Sequence, residues 1–128
     1  MESGALGKVY QPGEAIINQG DVGDCMFVIQ EGQVAIVQEK DGQEIFLGVR
    51  GAGEFLGEMA IFEHELQSAS VRALSLVRVL TVDKKNFLRR VHEDPSLAYR
   101  LVQTLCRRVR ELSAVITLLQ SRETNRTP

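Results

Sequence analysis

Tryptophan is absent from this 128-residue chain, and cysteine and proline number only two and three. Cys25 and Cys106 lie far apart with no metal or redox spacing, and two cysteines cannot hold a cluster that needs four. Both are expected as reduced thiols of a cytoplasmic protein. The only histidines are His64, in an expected loop, and His92, near an expected helix end, so no metal centre is expected. No serine or cysteine has a base patterned beside it; the chain is expected to have no catalytic residue and not to be an enzyme. No apolar run approaches the roughly 20 residues of a membrane span, and the N-terminus lacks a charged-then-apolar leader. A cytoplasmic protein with no membrane segment is the expectation.

What is present fits one domain. A length of 128 residues supports a single core, and 44% hydrophobic with 25% charged residues is ordinary for a soluble domain. The net charge of −2 hides a split. Residues 1–83 carry 5 basic and 13 acidic side chains, whereas residues 84–128 carry 10 basic and 4 acidic. The basic segment reads either as a nucleic-acid surface or as the solvated face of a helix, and the second is preferred.

All 11 glycines lie between Gly4 and Gly57. Glycines at short intervals mark turns, and between them sit short β-rich runs: Ala15–Ile17, Cys25–Gln30, Val34–Val37 and Ile45–Val49. Asp41 and Gly42 form a hairpin signal between the last two. Ser70–Ala73 and Leu76–Val82 complete the set. Short, evenly spaced strands with turn residues predict a sandwich or barrel rather than a parallel sheet.

The period then changes. Asp83 can cap a helix from Lys84 to about His92, with Phe87, Leu88 and Val91 on one face. Asp94 and Pro95 open a long helix reaching about Arg122. Along it Val102, Leu105, Val109, Leu112, Ile116 and Leu119 alternate spacings of three and four, with β-branched residues at one seam position and leucine at the other. That alternation points to a parallel two-stranded coiled coil and a homodimer. Leu101 and Val115 widen the stripe, so packing of the helix on its own barrel explains part of it. The tail from Thr124 to Pro128 is polar and expected to fray.

The segment from Gly53 to Ala73 is the candidate functional site. A glycine turn leads into a short apolar helix with one acid, Glu58, at its start; small residues and a strand follow. Backbone amides and one carboxylate arranged in this way can cradle a small anion. Each residue also has a plainer reading. Gly57 can serve only a turn, Glu58 only a helix end, and the small residues Ser68–Ser70 only close packing.

In combination these pieces resemble the cyclic nucleotide-binding domain superfamily, which includes catabolite-activator-type regulators and regulatory subunits of cAMP-dependent kinase. The resemblance runs from about Tyr10 to Leu119. It is carried by Pro12-Gly13-Glu14, Gln19-Gly20-Asp21, Phe27 to Val34, and Gly53 to Ala60. It implies an α+β fold that is mainly β: a jelly-roll-like, double-stranded β-helix roll over about 7–83, followed by C-terminal helices over about 84–122. The expectation is one cyclic nucleotide-binding-like domain over 1–128 with no DNA-binding domain and no direct nucleic-acid contact.

The resemblance also implies a site. Leu56 and Gly57 lead into the cassette, and Glu58 would accept hydrogen bonds from the ribose 2′-hydroxyl. Gly57, Met59 and Ala60 would present amides to the cyclic phosphate. Ser68 and Ala69 would close its other side, and Ser70 would sit near the base. Leu112 and Ser113 align with the region that caps the base in dimeric relatives. Gln67 stands where the family has a phosphate-pairing arginine. A hydrogen bond to a charged group contributes roughly 1.5–3 kcal/mol, so this exchange would weaken binding on the order of 10- to 100-fold. Arg72, on the next strand, is not expected to reach the pocket.

The expected function is a sensor that binds cAMP, cGMP or a related small anion as ligand, needs no cofactor or metal, and signals through a dimerising helix. Two alternatives stand beside it. One is a ligand-free interaction module with a degenerate pocket; the other is the sensor half of a truncated Crp/Fnr-type regulator.

Overall fold

A computed structural model describes residues 7–63 and 66–126, with side chains described to residue 123. His64 lies outside the described residues, as do residues 127 and 128 of the expected frayed tail. Two compact units divide between Leu88 and Arg89.

The first unit holds eight strands: β1 (Lys8–Tyr10), β2 (Ala15–Ile17), β3 (Cys25–Glu31), β4 (Gln33–Lys40), β5 (Gln43–Gly51), β6 (Phe55–Leu56), β7 (Ser70–Ala73) and β8 (Val77–Asp83). They form two antiparallel four-stranded sheets, ordered β1-β8-β3-β6 and β2-β7-β4-β5. Alternation along β7 and the start of β8 sends one side chain in two to the core. Ile29, Leu56, Val77 and Val79 from the first sheet meet Ile17, Val34, Val71 and Ala73 from the second in one cluster. Burying each large side chain contributes about 1.5–3 kcal/mol. The β-roll that the resemblance implied is present, as are the short antiparallel strands expected between the glycines.

Asp41 and Gly42 close the β4–β5 hairpin with φ of 55° and 77°, the two positive values of a type I′ turn. β1 and β6, three and two residues long, are additions to the sequence reading. Both are held by partner strands rather than by local pattern, β1 by β8 and β6 by β3.

α2 (Lys84–Glu93) starts where expected: the Asn86 backbone N donates to Asp83 Oδ1 at 2.7 Å. Phe87 is buried and packs edge-on against Phe62, with ring centroids 5.8 Å apart. Leu88 is exposed, which corrects its expected place on the apolar face. Consecutive helical residues are about 100° apart, so a stripe through Phe87 and Val91 leaves Leu88 outside it.

In the second unit α3 (Ser96–Arg126) runs 31 residues, four beyond the expected end. Asp94 caps it, its Oδ1 accepting from Ser96 Oγ at 2.6 Å and Ser96 N at 3.1 Å. These bonds, the hydroxyl first, hold the carboxyl below its ordinary pKa. Val102, Val109, Leu112, Ile116 and Leu119 are exposed on the single chain, and Leu105 is half-buried. No described helix is long and apolar enough to cross a membrane.

Candidate functional site

β6 delivers the chain to the cassette. Phe55 and Leu56 are both buried and pair with Val28 and Phe27 of β3. Just upstream, Gly53 N donates to Ile29 O at 2.8 Å, and Ile29 N to Glu54 O at 3.0 Å. Gly57 then reverses the chain with φ of 69°, a value costly for any residue with a β-carbon. A β-carbon there would lie 3.4 Å from Ile17 Cδ1, 3.5 Å from Cys25 O and 3.6 Å from Gln67 Nε2. The turn therefore rests on β2, the start of β3 and the side chain at position 67.

α1 (Glu58–Glu63) follows. Ala60 and Ile61 anchor it, whereas Met59 and Phe62 are exposed. Ala60 N, expected as a ligand donor, donates to Gly57 O at 3.1 Å. Glu58 is 7% exposed and is the one buried charged residue among the described residues. Burying a carboxylate is costly unless something satisfies it, and Glu58 is engaged within the protein.

Gln67 is fixed by its backbone. Gly20 N donates to Gln67 O, and Gln67 N to Asp21 O, both at 2.8 Å. These bonds aim the side chain at the β2–β3 loop, where Nε2 contacts the position a β-carbon of Gly23 would take. Gln67 also lines a cavity of about 120 Å³ with Ile17, Asp21, Gly23, Cys25 and Phe27. Burial, followed by Asp24, raises the Cys25 thiol pKa. Gly23, Ile17 and Cys25 were not singled out by sequence reasoning. The pairing of position 67 with the Gly20–Asp21 turn brings them to the site, and the glycine pair at 20 and 23 was the available signal.

The other expected residues separate. Ser68 is exposed and its carbonyl accepts from Gln38 Nε2 at 3.1 Å; Ala69 is half-buried. Ser70 lies on the face of β7 opposite buried Val71, and its Oγ accepts from Gln19 N at 2.9 Å. It shares an outer concavity of about 310 Å³ with Arg72, Glu39 and Glu44. Arg72 is engaged there, its Nη1 2.8 Å from Glu44 Oε2. Leu112 and Ser113 belong to the second unit, where Leu112 is exposed and Ser113 lines a groove of about 460 Å³ with Val102, Leu105 and Val109. Among the described residues no group of three or more His, Cys, Asp or Glu side chains is placed to hold a metal ion.

A family model described as the cyclic nucleotide-binding domain matches residues 7–94, which contain both sheets and the cassette. The chain belongs to the cyclic nucleotide-binding domain family. The cyclic AMP receptor protein of Thermus thermophilus is 31% identical over 117 residues, 91% of this chain and 54% of that protein. The type II regulatory subunit of cAMP-dependent protein kinase from Drosophila melanogaster is 38% identical over 85 residues, 66% of this chain and 22% of that subunit. The crystal structure of the Thermus thermophilus catabolite activator protein superposes with a TM-score of 0.79 at 31% identity, covering 88% of this chain and 54% of that one. The chain thus spans about half the length of its bacterial relative and less of the kinase subunit.

Proposed function

We propose that this cyclic nucleotide-binding domain is a non-catalytic sensor: it binds cAMP or cGMP as a ligand at the cassette and forms a homodimer through α3. Residues 1–128 act as one regulatory domain, in the cytoplasm, without a cofactor and without touching nucleic acid or membrane.

Buried Glu58, at the start of α1 and beside the left-handed Gly57, is the observation that carries this reading. Its carboxylate takes the ribose 2′-hydroxyl. Gly57, Met59, Ser68 and Ala69 supply backbone or hydroxyl donors to the cyclic phosphate, with Gln67 adding a neutral amide where the resemblance implies an arginine. Leu112 and Ser113 close on the base, and the seam of α3 passes the change to the partner chain. This coupling requires saturating ligand to alter amide-exchange protection of residues 105–119; unchanged protection rejects it.

A second reading, a ligand-free interaction module, is favoured by Gln67 itself. Its neutral amide packs against Gly23 instead of presenting a cation. Thermal shift against cAMP, cGMP and cyclic dinucleotides separates the two. A ligand at a hundredfold excess over its Kd adds about 2.7 kcal/mol of stability. A flat response to all of them rejects the sensor and leaves the module.

A further inference from the structure

We propose that the outer edge of β5 is a docking site for an extended, basic segment of a partner protein, which adds to the four-stranded second sheet as a further strand. β5 ends the order β2-β7-β4-β5, so among the described residues one side of its backbone has no strand partner. A row of unpaired amides and carbonyls is matched by another extended backbone. Edges that stay free are short, charged or interrupted by proline. β5 is nine residues long, and Ile45 to Val49 contains neither a charge nor a proline.

Strand register shows which side chains an incoming strand meets. Directly opposed residues of antiparallel strands share a face. Val71 belongs to the core, so its neighbours Ser70 and Arg72 point outward. Ser70, Val37 and Phe46 form one outward row, and Arg72, Ala35 and Val49 the next. Arg50, opposite the core residue Val34, turns inward. In each outward row the β4 residue is covered and the β5 residue is not. Val37 and Ala35 are buried, whereas Phe46 is 64% and Val49 42% exposed. Leu47, the extra residue of the β5 bulge, is exposed between them. An aromatic and a β-branched side chain at the rim of a sheet fit apolar partners on one more strand.

Charge selects the occupant. Glu39 and Glu44 stand directly opposite each other at the hairpin end of this outer face, like charges that repel. Arg72 pairs with Glu44 at 2.8 Å, and Glu39 has no ion pair among the described residues. A lysine or arginine on the added strand, opposite Glu44, supplies the missing cation. Residues 1–83 carry 5 basic and 13 acidic side chains, a balance of −8. A second copy brings the same negative surplus to the contact, and nucleic acid or anionic lipid brings more, so each is repelled. A basic protein segment with apolar side chains on one face matches both the charge and the exposed rim.

The test is calorimetry of the whole chain with an acetylated peptide of about ten residues, an ordinary strand length, that alternates valine and lysine. One control peptide has glutamate in place of lysine, and the other has central prolines. The lysine peptide should bind about tenfold or more tightly than either control. Amide exchange in the complex should slow within Gln43–Gly51. Phe46→Ser and, separately, Val49→Ser should weaken binding about tenfold, the loss of one buried apolar side chain. Leu88→Ser, at an exposed leucine outside both sheets, should leave it unchanged. Melting curves confirm that each variant folds. Failure of the lysine peptide to bind, equal binding of either control, or slowed exchange confined to other residues overturns the proposal. So does unchanged binding by both β5 variants, or an equal loss in Leu88→Ser, which would mark the contact as unspecific.

Discussion

Gln67 and Gly23 are in direct contact: a β-carbon on Gly23 would collide with Gln67 Nε2 and stand 2.6 Å from Ala60 Cβ. The β2–β3 loop therefore closes on the cassette only because residue 23 has no side chain. Gly23→Ala must push either the Gln67 amide or α1 outward. Overpacking of this kind costs typically 1–3 kcal/mol. Urea unfolding should show a lower midpoint with an unchanged slope, together with weaker nucleotide binding. An unchanged midpoint would mean that the Gln67 side chain and α1 both give way without cost.

Introducing a cation at position 67 is the complementary change. Gln67→Arg places a planar, permanently charged fork on a backbone already pinned to Gly20 and Asp21. A charged hydrogen bond contributes roughly 1.5–3 kcal/mol. Affinity for cAMP should therefore rise about 10- to 100-fold by calorimetry. The gain should be similar for cGMP, because the phosphate is common to both. No gain for either would show that position 67 does not face the phosphate.

Local signals in the sequence were readable, and long-range register was not. The Asp41–Gly42 turn, the Asp83 and Asp94 caps and the start of β7 follow from residues within a turn of one another. β1 and β6 are too short to carry a pattern and exist because β8 and β3 pair with them. Which way Ser70 and Arg50 face depends on their partners on β4, Val37 and Val34. The β4–β5 pairing shifts by one residue between Ile36 and Val37. A shift of one residue exchanges the two faces of a strand, so composition alone cannot assign either side chain. The cassette was legible because its turn, its acid and its helix are contiguous; the loop that closes it was not, because Gly23 is 44 residues from Gln67.

Glu58 should separate binding from stability. Its carboxylate is buried, and a buried charge is weak support for a fold. Glu58→Gln keeps the shape and removes the charge. Nucleotide affinity should fall about tenfold or more, the cost of losing a charged acceptor for the ribose hydroxyl. Gln retains an acceptor and the side-chain shape, so the ligand-free melting temperature should change far less than the affinity. A large fall in both would make Glu58 a structural residue.

The Asp94 cap has a pH signature. Ser96 Oγ and Ser96 N hold the Asp94 carboxyl below its ordinary value of 3.8. A folded pKa lower than the unfolded one stabilises α3 above the unfolded value, and that stabilisation is lost as pH falls through the folded value. Ser96→Ala removes the hydroxyl donor, the larger cause. An NMR titration should find the Asp94 pKa raised toward its ordinary value in the variant. The stability difference between wild type and variant should be present at neutral pH and vanish in acid. An unmoved pKa would mean that the backbone bond alone sets the cap.

The α3 seam offers the last test. Val102, Val109 and Ile116 alternate with Leu105, Leu112 and Leu119 over 18 residues, about 27 Å of helix. Exposed apolar side chains at both seam positions over that length are stabilised by a second copy, and the β-branched/leucine alternation favours two parallel strands. Sedimentation should therefore find a dimer. Val109→Asp combined with Ile116→Asp sets like charges against each other at two levels of the seam and should yield a monomer. Strand content should be unchanged, because both positions lie outside the β-roll unit. A wild type that stays monomeric at every concentration would assign the stripe to some other partner. A double variant that stays dimeric would move the interface off α3.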